Sequence, residues 1–295
     1  MTTERPPTID PVAARRWQQM PPSVSPWLHE EVARRMQERL ACIRLKPGSW
    51  THWEPVRGGL QAHALLAAHY PQAECEVTEF QPARMAYAAR ALAQPWWRPA
   101  RWLARPTHFS VPAQGRAEML WANMALHMTD DPRALMARWH DALAVDGFLM
   151  FSCLGPDTLQ ELRPLYRALG WPAPAHEYTD MHDWGDMLLA GGFADPVMDM
   201  ERITLTFESP ERLLQELRGL GRNLHPQRFQ GLRGRQWHAQ LLQELTKLPL
   251  QLSFEVVYGH ALKPAPRLDV RPETVLSLAQ MRETLNQRKI YPKNP

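Results

Sequence analysis

The 295-residue chain has only three cysteines, Cys42, Cys75 and Cys153, far apart and without a Cys-x-x-Cys pair. That spacing offers neither a disulfide framework nor a cysteine zinc site. No run approaches the roughly 18 apolar residues that a membrane helix needs. The N-terminal MTTERPPTIDPVAARRW lacks the apolar core of a secretory signal, so a reducing cytoplasm is the expected setting. Charge excess is small: 34 Lys and Arg against 31 Asp and Glu leave +3, too mild to imply nucleic-acid binding by itself. Glycine is sparse, 15 residues against 28 prolines, which points to short, stiff loops. What is present is an ordinary globular share of apolar residues, 44%, on a chain long enough to bury a substantial core.

Residues 1–30 read as a proline-rich arm carrying Trp17, Pro21, Pro22 and Trp27. From Glu30 to about Leu45, Val32, Met36, Leu40 and Ile43 recur at helical spacing. The stretch THWEPVRGGL, Thr51 to Leu60, lies where a strand runs into a glycine loop and then the helix GLQAHALLAAHYP. AECEVTEF is a short strand ending on Glu79, and PARMAYAARALAQ is an alanine-rich helix. A third strand is expected near Thr107–Val111 and a fourth in AEMLWANMAL; Asp131-Pro132 then opens a helix. FLMFSCL is apolar throughout, as in a parallel strand buried on both faces. This alternation argues a doubly wound α/β sheet. Beyond residue 155 come two helices and two long alternating runs, DPVMDMERITLTF and LQLSFEVVYGHAL, expected to pair antiparallel. Between those runs, residues 209–247 form a helical insertion opened by a Ser209-Pro210-Glu211 cap. The expected organisation is an arm over 1–30, one domain over 31–264 and a loose polar tail over 265–295.

Three segments carry a resemblance: LWANMALHMTDDPRALMARWHDALAVDGFLMFSCLGPDTLQELR, MHDWGDMLLAGGFADPVMDMERITLTFES and FEVVYGHALKP. They resemble the malonyl-ACP O-methyltransferases of biotin synthesis, a family of class I S-adenosylmethionine methyltransferases, over about residues 118–264. The resemblance implies a mostly parallel seven-stranded sheet with an antiparallel final pair. It also implies S-adenosyl-L-methionine as methyl donor and an acyl carrier protein bearing malonyl as partner. The accepting group would be the free carboxylate of the thioester. An ionised carboxylate needs no general base, so such a site works by positioning and desolvation.

The family's cofactor pattern is an acid, one residue, G-x-G-x-G, and a second acid about 25 residues on. Glu54 falls on the first acid and Glu79 on the second, where a carboxylate would accept both ribose hydroxyls. The three glycine positions fall on Val56, Gly58 and Leu60, with Gly59 beside the middle one. Glycine serves there because the backbone approaches the ligand and can need positive φ. A β-branched valine is poorly suited to that, so the loop is expected to depart from its usual shape. The adenine-side acid falls near Pro106 or Thr107 and is missing. The covering aromatic falls near Pro22, a role open to Trp17 or Trp27. Asn123 follows the fourth strand, where the family turns its backbone near the transferring methyl, and reads equally as a strand-ending residue.

Arg163 can offer a bidentate fork to the malonyl carboxylate, or it is simply a surface residue of a helix. RGLGRNLHPQRFQGLRGR carries Arg218, Arg222, Arg228, Arg233 and Arg235 with no acid between them. It reads as a docking surface for an acidic carrier protein, as a nucleic-acid contact aided by Phe229 and Trp237, or as a solvated loop. Its place in the insertion favours carrier docking, with Arg222 and Arg228 on the substrate side. Cys153 reads as core. His127 and His176 with their acidic neighbours lack metal-ligand spacing, and no metal is expected. Three functions are open: the methyltransferase, a non-catalytic relative that binds the carrier or regulates, and, weakest, a nucleic-acid module.

Overall fold

The computed structural model describes residues 9–21, 24–93 and 106–266. Its extended runs are β1 (Ser49–Trp53), β2 (Glu74–Thr78), β3 (Thr107–Phe109), β4 (Ala117–Ala122), β5 (Leu143–Leu154), β6 (Ala194–Thr206) and β7 (Gln251–Leu262). They form one seven-stranded sheet in the order β3-β2-β1-β4-β5-β7-β6. Strands β1 to β5 pair parallel, and β7 runs antiparallel between β5 and β6. This is the doubly wound layout with an antiparallel finishing pair that the alternation and the resemblance imply.

The helices are α1 (Pro11–Gln19), α2 (Trp27–Arg39), the single turn α3 (Pro55–Gly58), α4 (Ala62–His69), α5 (Pro82–Ala91), α6 (Pro132–Ala142), α7 (Leu162–Ala168), α8 (Met181–Ala190), α9 (Pro210–Leu220) and α10 (Arg235–Leu245). Side-chain caps set several starts: Asp131 accepts the Ala134 N–H before α6, and Ser209 accepts the Arg212 N–H before α9. α9 and α10 make up the insertion.

Strand β5 shows why its sequence is apolar throughout. Phe148 and Met150 enter one core with Leu28, Val32 and Met36 of α2, while Leu149, Phe151 and Cys153 enter the other with Trp139 of α6 and Trp184 of α8. Each such large side chain contributes about 1.5–3 kcal/mol on burial. Opposite Phe151, Gly259 has no room for a side chain, since a Cβ there would lie 2.1 Å from the Phe151 ring.

Some boundaries differ from the expectation. The helix expected from Glu30 begins at Trp27 and gives way at Leu40 to a 3-10 turn, leaving Ile43 extended. Part of the supposed arm is α1. In GPDTLQELRPLYRALG only Leu162–Ala168 is helical, because Leu159 takes a positive φ of 56°. The chain to Pro264 is one unit and Ala265–Pro295 a second; of the expected tail, residues 267–295 lie outside the described residues.

Candidate active site

In a doubly wound sheet ligands bind outside the carboxyl ends of the strands. A cavity of about 290 Å³ lies there, lined by Glu54 after β1, Phe80 after β2 and Asn123 and Met124 after β4. Its volume is at the lower limit of small-molecule sites, roughly 300–1,000 Å³.

The chain leaves β1 through Glu54 at φ 46°, makes the single turn α3, and leaves that turn through Gly59 at φ 115°. Val56 is therefore never asked for positive φ; the left-handed residues sit at either end of the turn. Gly58 stays bare for a reason of packing, because a Cβ would stand 2.5 Å from the Asn123 carbonyl oxygen. Asn123 itself is buried. Its Nδ2 donates to the carbonyls of Gly58 and His29, and its Oδ1 accepts the Ser152 hydroxyl at 2.6 Å. It thus ties the end of β4 to the loop after β1 and to α2.

Glu79 lies behind the cavity wall rather than in it. Its Oε1 accepts the Val56 N–H (2.9 Å), and its Oε2 accepts from Arg84 Nε (3.0 Å). Arg84, 2% exposed, also donates to Glu54 Oε1 (3.2 Å) and to the Gln18 carbonyl of α1 (2.7 Å). One buried guanidinium thus bridges both acids and the arm. Burial, then the charge of Glu54, pushes the Glu79 carboxyl up to about 7, against the pull of Val56 N–H and Arg84.

Helix α1 roofs the cavity. Its cap residue Asp10 pairs with Arg228 at 2.6 Å and its N–H donates to Leu224 of the insertion. At the other end Arg57 donates to the carbonyls of Trp17 and Met20, with its guanidinium 4.0 Å over the Trp17 ring. Trp17 lines the cavity, whereas Trp27 is 59% exposed and lies elsewhere. His29 also lines it. Its Nδ1 contacts the Arg57 carbonyl at 2.7 Å, and since a carbonyl only accepts, that nitrogen carries the proton. Nε2 has no partner among the described residues, and burial lowers the ring's pKa to about 4.

Trp17 also lines a neighbouring pocket of about 440 Å³, with Arg222, Arg228, Arg233, Phe229 and Trp237. Arg233 stacks 4.1 Å from the Phe229 ring and 4.7 Å from that of Trp237. A narrow apolar pocket of about 120 Å³, with Leu154, Leu162, Tyr166 and Phe254, adjoins both, sharing Met128 and Leu220 with the first and Arg222 with the second.

Of the residues singled out in the sequence, Glu54, Gly58 and Asn123 meet in one cavity and Arg222 and Arg228 in the next. Gly59 and Glu79 stand behind the first, and Arg163 reaches neither. It donates to the carbonyls of Pro156 and Thr158, which fix it to its own loop. Sequence reasoning missed Arg84, Phe80, His29 and Arg138. Arg57 had a visible signal, being a long cation where a glycine loop takes small residues. Among the described residues no group of three or more His, Cys, Asp or Glu could hold a metal ion, and no helix is long and apolar enough to cross a membrane.

No family model matches the chain, but curated sequences do. It is 40% identical to the malonyl-(acyl-carrier protein) O-methyltransferase of Gallionella capsiferriformans, over 82% of this chain and 86% of that one. It is 37% identical to the enzyme of that name from Laribacter hongkongensis, over 81% and 84%. To that of Halorhodospira halophila it is 32% identical, over 79% and 80%. Among solved structures it is similar to the YcgJ protein of Bacillus subtilis, with TM-score 0.52 and 12% identity over 80% of this chain and 99% of that one. A putative methyltransferase of Bacillus halodurans gives TM-score 0.52 at 10% identity, over 80% and 100%. At such identity these two speak for the fold alone.

Proposed function

The chain belongs to the malonyl-(acyl-carrier protein) O-methyltransferase family, and from that membership we propose its reaction. It transfers a methyl group from S-adenosylmethionine to the free carboxylate of a malonyl thioester on an acyl carrier protein, a step in biotin synthesis. The observation that carries this reading is the cavity at the carboxyl ends of β1, β2 and β4, in a chain of that descent.

The lining fits the cofactor in three respects and departs from it in one. Gly58 leaves the backbone bare. Phe80, with Arg138 stacked 4.0 Å above its ring, offers a flat wall for a purine. Glu54 keeps 28% of its side chain exposed, within reach of an ammonium group. The departure is Glu79, whose carboxylate is enclosed; a ribose would reach it only after Arg84 moved. The residues that would hold the cofactor are therefore Glu54, Gly58, Phe80 and Arg138, with Asn123 and Gly59 holding the loop behind them. When bound, the cofactor supplies an electrophilic methyl group.

The remaining work falls to positioning and to the exclusion of water. α1 and Trp17 roof the cavity, while the narrow pocket between Tyr166 and Phe254 offers an apolar path for the acyl chain. No side chain need remove a proton, because the accepting carboxylate is already ionised. The arginine-lined pocket beside α1 suits an acidic carrier protein by charge.

Growth without biotin, in a strain lacking its own malonyl-ACP methyltransferase, tests the reading. Rescue by this chain is expected. Calorimetry with S-adenosylhomocysteine is the companion measurement. No rescue together with no heat at millimolar ligand would leave a carrier-binding relative without chemistry.

A further inference from the structure

Arginines near the cavity differ in whether their charge is answered. All three nitrogens of Arg84 are engaged, two of them by carboxylates. Among the described residues Arg57 spends only Nη2, on the carbonyls of Trp17 and Met20, and Arg222 only Nη1, on the carbonyls of Arg218 and Gly221. A guanidinium has five N–H donors, so both keep donors in hand.

Arg57 and Arg222 also share a neighbour. Their guanidinium carbons lie 4.0 and 5.8 Å from the Trp17 ring, and Trp17 lines both the cavity and the pocket beside it. The charges acting most strongly on Arg57 are the cations Arg84 and Arg222 and the anions Glu54 and Glu79. Neither acid pairs with Arg57 among the described residues, because both are held by Arg84. Burial and the nearby cations together lower the Arg57 pKa to about 10. Asp130, Asp131 and Arg138 line the cavity too but are not among these strongest influences. A half-buried cation with no carboxylate paired to it among the described residues is costly, and a single ligand carboxylate would answer this one.

We infer that Arg57, with Arg222 beside it across Trp17, is the binding site for a ligand carboxylate, and that this is the free carboxylate of the acyl substrate. This rests on the reading of the reaction given above. It replaces Arg163, which lines neither the cavity nor the pockets beside it. Both arginines adjoin the narrow pocket's approach to the cavity, Arg222 lining the pocket and Arg57 the cavity. The cofactor's amino-acid carboxylate has the same chemistry, so the experiment must separate the two sources.

Calorimetry on the full chain, without cofactor, would compare the N-acetylcysteamine thioester of malonate with its methyl ester. A second pair of ligands is S-adenosylhomocysteine and methylthioadenosine, which lacks the carboxylate. The wild type should bind the free acid about tenfold or more tighter than the ester, the worth of a charge-assisted pair. Arg57→Met should erase that preference and leave S-adenosylhomocysteine within about twofold, the scale on which no charged contact is lost. Arg57→Lys, which keeps the charge without the fork, should fall between, and Arg222→Met should weaken the preference. These last two decide the matter if Arg57→Met does not fold.

A preference that survives in Arg57→Met, or in both other variants should that one not fold, overturns the inference. So does a loss confined to S-adenosylhomocysteine relative to methylthioadenosine, which would give the carboxylate to the cofactor. Failure of the reaction itself looks different: no heat with S-adenosylhomocysteine and no biotin rescue, while the free acid is still preferred.

Discussion

On the β1–β2 wall of the cavity, Arg84 is surrounded by what a cation needs: Glu54, Glu79 and a helix-end carbonyl, all in place. Facing α1 and the insertion, Arg57, Arg222 and Arg233 rest on indole and phenyl rings and backbone carbonyls instead. The first arrangement is complete in itself and holds the protein together. The second is left open on its acidic side, as a surface meant to meet an anion would be. The inferred carboxylate site therefore rests on the arginines that have no carboxylate partner among the described residues, not on the one that has two.

Removing Arg84 should have the largest effect. Arg84→Met would strand two carboxylates, one of them buried, and an uncompensated buried charge costs about 3–5 kcal/mol. Urea unfolding measures it, and the double variant Arg84→Met/Glu79→Gln should recover part of the loss. A loss below about 1 kcal/mol, the range of exposed pairs, would make the first wall no different from the second.

The same wall should report pH. The folded-state pKa of Glu79, about 7, is above the ordinary carboxylate value of 4.5. Its contribution is thus fully present below pH 4.5 and is lost as pH rises through 7. Stability of the wild type relative to Glu79→Gln should decline over that window, by at most about 1.4 kcal/mol per pH unit for one proton. Unfolding at pH 5, 6 and 7 for both proteins isolates this from histidines such as His29, His63 and His176. Those are lowered to about 4 by burial and act in the opposite sense.

Asn123 ties the end of β4 to the first wall by holding the loop of Gly58 against α2. Asn123→Ala leaves the Gly58 and His29 carbonyls and the Ser152 hydroxyl without their partner, for a cost of about 1–3 kcal/mol. Asn123→Asp should be no better, since both carbonyls need a donor. If Asn123→Ala unfolds at the wild-type midpoint while binding of S-adenosylhomocysteine weakens, Asn123 is a ligand contact rather than a tie.

How far these features could be read in advance follows from the range of the forces involved. The sheet was legible because alternation, caps and the apolar run FLMFSCL act over a few residues each. Glu54, Gly58 and Asn123 were legible through spacing, since strand ends recur at fixed places in a doubly wound sheet. Arg84 was not, because an arginine in an alanine-rich helix reads as solvent-facing. Its partners are distant in the chain: Gln18, 66 residues earlier, receives one of its N–H groups. The path of the loop around Val56 was hidden for a related reason: positive φ falls at Glu54 and Gly59, which flank the turn. Arg163 has suitable chemistry, but it donates to carbonyls of its own loop and lines neither the cavity nor the pockets beside it.

The smallest effect on stability is expected on the open wall. Arg233 stacks between Phe229 and Trp237, and an exposed cation–π contact is worth about 0.5–1 kcal/mol. Arg233→Ala should therefore shift the unfolding midpoint little. Its larger consequence should be in association with an acidic carrier protein, where charge governs the encounter rate more than the final contact. Binding kinetics at two salt concentrations would show a slower on-rate for the variant at low salt, and a difference that shrinks as screening grows. An on-rate equal to wild type at low salt would mean the carrier approaches elsewhere. Arg233 would then be a structural arginine, and the two walls would differ only in how they satisfy their cations.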